Sequence, residues 1–106
     1  NKQEISYINV DNMPDSLLAG NLALRAQQIF HAYGDVYQEA GAYRTLAQSY
    51  WDIADYQSAL ICLHHALNDN KRVKNAPDLA ASICEELSLA YAAVNNKQES
   101  DYYRSI

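Results

Sequence analysis

The sequence predicts an all-α protein of stacked antiparallel helix hairpins, and three features predict it. The first is periodicity. Across residues 42–67 apolar side chains recur at i, i+3, i+4 and i+7, which sets one stripe of each of two helices into a core. Tyr43, Leu46, Ala47, Tyr50 and Ile53 make the first stripe. Tyr56, Ala59, Leu60, Leu63, Ala66 and Leu67 make the second, after a tight turn at Asp55-Tyr56. The second feature is composition: 3 Gly and 2 Pro in 106 residues, with helix formers abundant, favour helix throughout. The third is recurrence. Ala19 and Ala59, and Ala26 and Ala66, lie 40 residues apart; Leu46 and Leu87, Tyr50 and Tyr91, and Ala59 and Ser100 lie 41 apart.

The elements follow in chain order. Residues 1–14 form a polar lead-in with scattered Ile5, Tyr7, Ile8 and Val10, and residues 15–106 form the repeat domain. Met13-Pro14-Asp15-Ser16 reads as a helix start, with Pro in the first turn and Asp15 suited to the positive end of the dipole. The spacing predicts a helix over residues 15–33, with Leu18, Leu22, Ile29 and Phe30 apolar and Ala19, Ala23 and Ala26 small. Gly34 ends it, because glycine tolerates the left-handed cap conformation. The next helix spans residues 36–53. Gly41 inside it costs about 1 kcal/mol relative to Ala, which a close helix contact there is expected to offset.

After the helix that starts at Tyr56, residues 68–77 read as a polar connection ending in a Pro suited to open a helix. That helix spans residues 77–94, with Leu79, Ile83, Leu87, Ala90, Tyr91 and Val94 inward. Asn95-Asn96 makes a turn, and a last helix begins near Lys97 and is still running at Ile106. Asn1 is not a Met and carries no signal-peptide pattern, so the chain is expected to be a piece of a longer protein.

The order of large aromatic, Leu, small and Tyr in one helix, then small, Leu and small in the next, resembles the tetratricopeptide repeat. The match departs at two points: Ala47 stands where that family usually has Gly, and no Pro closes the repeat. The resemblance implies the second helix of one repeat, one whole repeat and most of another, about two and a half in all. Such hairpins stack because none buries its apolar face alone, and they form a short right-handed superhelix. The family's usual period is about 34 residues. The longer period here is expected to come from longer connections, at residues 34–40 and 68–77.

A further resemblance runs through Gly34-Asp35-Val36-Tyr37, residues 42–47, Tyr91 to Lys97 and residues 100–106. From about Leu17 onward the chain is similar to the repeat region of Bacteroidetes two-component sensor histidine kinases. That resemblance implies a non-catalytic sensor module outside the cytoplasmic membrane, in the periplasmic part of an inner-membrane protein, with the last helix leading toward the kinase. The alternative is a cytoplasmic adaptor or regulator scaffold of the same repeats. No phosphoacceptor His or ATP site is assigned, because none of the kinase's own motifs is present.

The chemistry of individual residues points away from catalysis. Cys62 and Cys84 have no metal-ligand spacing and are expected as buried free thiols, a disulfide between neighbouring helices being the alternative. His64 and His65 point about 100° apart on a helix and are expected as a partly solvated pair rather than metal ligands. Asp52 with Asp55, Glu85 with Glu86, and Lys71, Arg72 and Lys74 in the connection read as solvated charge. No nucleophile motif, phosphate loop or cofactor signature is present, so no enzyme and no cofactor are expected. The net charge of −5 argues against nucleic acid, and no apolar run approaches the ~20 residues of a membrane span.

A partner is expected to be a protein or peptide, self-association included. In the tetratricopeptide family the first helix of each hairpin lines a concave groove. Carried onto this sequence, the groove positions are Arg44, Gln48 and Trp51, spaced i, i+4, i+7, and Ser82, Glu85 and Leu89 in the next repeat. Trp51 is expected either to anchor a partner or to pack against an adjoining repeat.

Overall fold

The computed structural model describes residues 18–73 and 77–106, and among them every regular element is a helix. These are α1 (Leu18–Tyr33), α2 (Val36–Asp52), α3 (Tyr56–Lys71), α4 (Pro77–Ala93) and α5 (Lys97–Ser105). Each helix packs on the next in the chain, and the short connections turn neighbours antiparallel. The lead-in of residues 1–14 and the helix start at Met13-Pro14-Asp15-Ser16 lie outside the described residues.

One device makes three of the connections. Gly34, Ala54 and Asn95 adopt left-handed conformations, with φ of 73°, 62° and 62°. At each, the left-handed residue's own N–H and the next one fold back onto the preceding helix: Gly34, Ala54 and Asn95 donate to the carbonyls of His31, Trp51 and Ala92, and Asp35, Asp55 and Asn96 to those of Phe30, Tyr50 and Tyr91, the latter three all at 2.9 Å. These satisfy carbonyls that a helix end leaves without partners. The next residue then opens the following helix. Asp35, Asp55 and Asn96 accept, each at 3.2 Å, from the backbone N–H of Gln38, Ser58 and Glu99. Asp55, expected as solvated charge, is therefore a cap.

The core is the one the periodicity marks. Leu46, Ala47, Tyr50, Ala59, Leu60, Leu63 and Ala66 are buried together with Ile83, Leu87 and Ala90 of α4. Both cysteines are free and buried, and burial pushes the Cys62 thiol up to about 12, so it is an inert core residue. Between α4 and α5, Ser88 and Ser100 each donate a hydroxyl hydrogen bond to the other's backbone carbonyl at 2.8 Å. Small reciprocal side chains let these two helices approach closely.

Four expectations need correction. Ile53 is 39% exposed, because it caps α2 where the chain turns away from the core. Leu22 and Ile29 are 61% and 55% exposed. α1 turns Gly20, Ala23 and Gln27 to its neighbours instead. Residues 68–71 are not connection: α3 continues through them, and the α1–α2 link is only Gly34 and Asp35.

The fourth correction concerns glycine. A Cβ at Gly41 would meet nothing within 4 Å, so no close contact offsets that residue. The close approach is at Gly20, where a Cβ would fall 2.9 Å from Ser49 Cβ and 3.4 Å from Leu46 Cδ1. Two alanine substitutions should therefore have opposite signs. Gly41→Ala should stabilise by about 1 kcal/mol, while Gly20→Ala should force α1 off α2 and cost about 1–3 kcal/mol. Urea denaturation of the two variants checks it.

A polar cluster ties α1 to the α2–α3 hairpin. Glu39 of α2 is 3% exposed. Its Oε2 accepts from Gln27 Nε2 at 2.6 Å and lies 3.0 Å from His31 Nδ1. Asp69, in the part of α3 that the sequence reads as loop, is buried close enough to Glu39 for the two carboxyls to interact. Arg72 Nη1 lies 3.7 Å from Asp69 Oδ1 at the end of that helix. Of the basic residues expected as solvated, Lys71 thus belongs to α3 and Arg72 caps it, while Lys74 lies outside the described residues.

Candidate interaction cleft

The six groove positions come together. Arg44, Gln48 and Trp51 line one wall of a cleft of about 370 Å³, and Ser82, Glu85 and Leu89 line the other. The walls are α2 and α4. The floor is Ala47 with Ala59 and Leu63 of α3, small or aliphatic side chains that keep the cleft apolar at its base. Helical periodicity explains the shape: the i, i+4, i+7 residues of α2 share one face, and α3 spaces that face from α4.

The walls differ in polarity along their length. Arg44 bridges the cleft to Glu86, donating from Nε at 3.0 Å and from Nη2 at 2.7 Å. This two-point pairing holds the guanidinium firmly in its charged form, and the hydrogen bond to Glu86 outweighs partial burial in doing so. Gln48 donates to Asp52 one turn on, at 2.9 Å. Trp51 is half-buried and meets Tyr56 edge-on, with ring centroids 4.9 Å apart. Trp51 thus packs within its own hairpin, and the ring still lines the cleft. Leu89 is 55% exposed on the far wall. Glu85 has no ion pair among those found.

Sequence reasoning missed Glu86, which was expected as solvated charge. The signal was its 42-residue separation from Arg44, close to one period, with opposite charge. The two histidines diverge as helical geometry requires. His65 stacks on Tyr43 at a centroid distance of 4.8 Å, while His64 Nε2 meets the Tyr91 hydroxyl at 2.7 Å. Burial lowers the His64 pKa and raises that of Tyr91, so His64 is the neutral member of a hydrogen-bonded aromatic cluster with Tyr91 and Tyr103. Cys62 is sealed in the core, and His65 stacks on the Tyr43 ring. Among the described residues no group of His, Cys, Asp and Glu is arranged to hold a metal ion, and no helix is long and apolar enough to cross a membrane.

Comparison with known proteins gives no match to a family model, to a curated protein or to a solved structure.

Proposed function

We propose that this chain is a non-catalytic protein-interaction module of tetratricopeptide type, about two and a half hairpins in a short right-handed superhelix, taking a peptide segment of its partner in the α2–α4 cleft. One observation carries the reading: Arg44, Gln48, Trp51, Ser82, Glu85 and Leu89, chosen by repeat register, line a single cleft. A concave site with an apolar floor, a half-buried Trp and a few polar groups has the make-up of a recognition site. The resemblance to Bacteroidetes sensor kinases extends the proposal to the extracytoplasmic input region of such a kinase, with α5 as the helix that leads toward the membrane. The gene downstream of Ile106 tests that extension. A membrane span, a dimerisation helix with a phosphoacceptor His and an ATP-binding module support it, whereas a DNA-binding domain without a span overturns it.

The cleft itself is tested by Trp51→Ala. Against a peptide selected from a phage-displayed random library on the wild-type chain, binding should fall at least tenfold, as for an anchor residue worth more than about 1.4 kcal/mol. Helical content should hold, and the melting temperature should drop by no more than about 8 °C, because Trp51 lies at the margin of the core, packed on its edge and against Tyr56. A collapse in melting temperature would make Trp51 structural.

A further inference from the structure

The charge of the cleft identifies the kind of peptide it fits. Arg44 is the cation among its lining residues, and a cation at that position invites a carboxylate ligand. The geometry removes that option. Both Nε and Nη2 of Arg44 are engaged by Glu86, so the pair is internally neutral. What remains on the walls is Glu85, which has no ion-pair partner among the described residues, with the Asp52 carboxylate beside the cleft, bonded to Gln48. The chain as a whole carries a net charge of −5. An anionic ligand would approach like charges from every side, while a cationic one meets complementary potential. The apolar surfaces fit the same ligand. The Trp51 ring offers a π face and Leu89 an exposed aliphatic surface, which suit the stem and head of an Arg or Lys side chain.

We propose that the α2–α4 cleft recognises a basic peptide, seating an Arg or Lys side chain at Glu85 with flanking apolar residues against Trp51 and Leu89. This rests on the interaction reading above and names its ligand class. It reverses the role expected of Arg44: the guanidinium masks Glu86 and restrains the cleft's negative charge, so it is not a ligand contact.

Trp51 is the single tryptophan of the chain, so its indole N–H signal in a two-dimensional NMR spectrum reports on the cleft alone. The probes are acetylated and amidated pentapeptides of sequence Ser-Leu-Xaa-Leu-Ser, with Arg, Gln or Glu at the centre. The Arg peptide should shift the indole signal saturably and bind most tightly, with affinity falling as salt is raised. Glu85→Gln should weaken it by up to about fivefold, the scale of one exposed ion pair. Arg44→Gln, which unmasks Glu86, should strengthen it. If the Gln or Glu peptide binds as well as the Arg peptide, the charge assignment is overturned and the cleft stands as a docking site. If Arg44→Gln weakens the Arg peptide, the masking role is overturned. If no peptide moves the Trp51 signal at millimolar concentration, the docking reading of the cleft falls with it.

Discussion

Raising the pH from about 4 to about 7 should weaken this fold relative to its Asp69→Asn variant. Asp69 is buried on α3 against Glu39, whose Oε2 is already held by Gln27 and His31 of α1. Two neighbouring carboxyls, both withdrawn from water, do not both ionise without cost. Burial first, then interaction with the Glu39 side chain and its charge, push the Asp69 carboxyl up to about 7, against the opposing pull of Arg72 and His31. The unfolded chain releases this proton near 3.8, whereas the folded chain keeps it until about 7. The folded state therefore binds the extra proton across that window. Its contribution is complete below the unfolded value, is lost as pH rises, and is gone above about 7, at up to about 1.4 kcal/mol per pH unit. Urea midpoints measured from pH 4.5 to 8 check this. His64, whose pKa burial lowers, pulls the other way in both chains, so the comparison is the difference: the stability of Asp69→Asn, which imitates the protonated form, relative to the wild-type chain should grow as pH rises. A difference that stays constant or shrinks over that range would contradict the arrangement.

Ala66→Leu should be among the most destabilising conservative changes in the chain. Ala66 has no exposed surface, in the core that α3 shares with α2 and α4. Three added carbons there have no space without moving a helix, at a cost of about 1–3 kcal/mol, or roughly 5–20 °C in melting temperature for a domain of this size. Ala59→Leu should cost less. Ala59 is as deeply buried but lies on the cleft floor, so part of the larger side chain enters the cleft. That variant should instead interfere with peptide binding. Thermal melts of the pair distinguish the two positions, and equal tolerance of both would mean that the α3 register is wrong.

Helix boundaries were legible where local chemistry sets them. Gly34-Asp35, Asp55 and Asn95-Asn96 are turn and cap residues whose hydrogen bonds close within a few positions, and each lies where the sequence puts it. The residues 68–71 were not legible, because their polarity reads as loop. α3 nevertheless continues through them to Lys71, with Asp69 and Asn70 buried against the neighbouring helices, a burial that local polarity does not signal. The same limit explains the glycines. A glycine inside a helix signals close packing only if another helix arrives there, which happens at Gly20 and not at Gly41.

The sequence by itself determined the all-helical class and the core stripes of α2, α3 and α4, because these follow from a 3.6-residue period within single helices; the six cleft positions came from the tetratricopeptide resemblance, which supplies the relation between neighbouring hairpins. Only the tertiary structure decided that Arg44 is neutralised by Glu86, that Glu39 and Asp69 share a buried site, and that Leu22 and Ile29 face outward. Each of these depends on which helix lies opposite and at what distance, and period alone carries no information about the opposite helix.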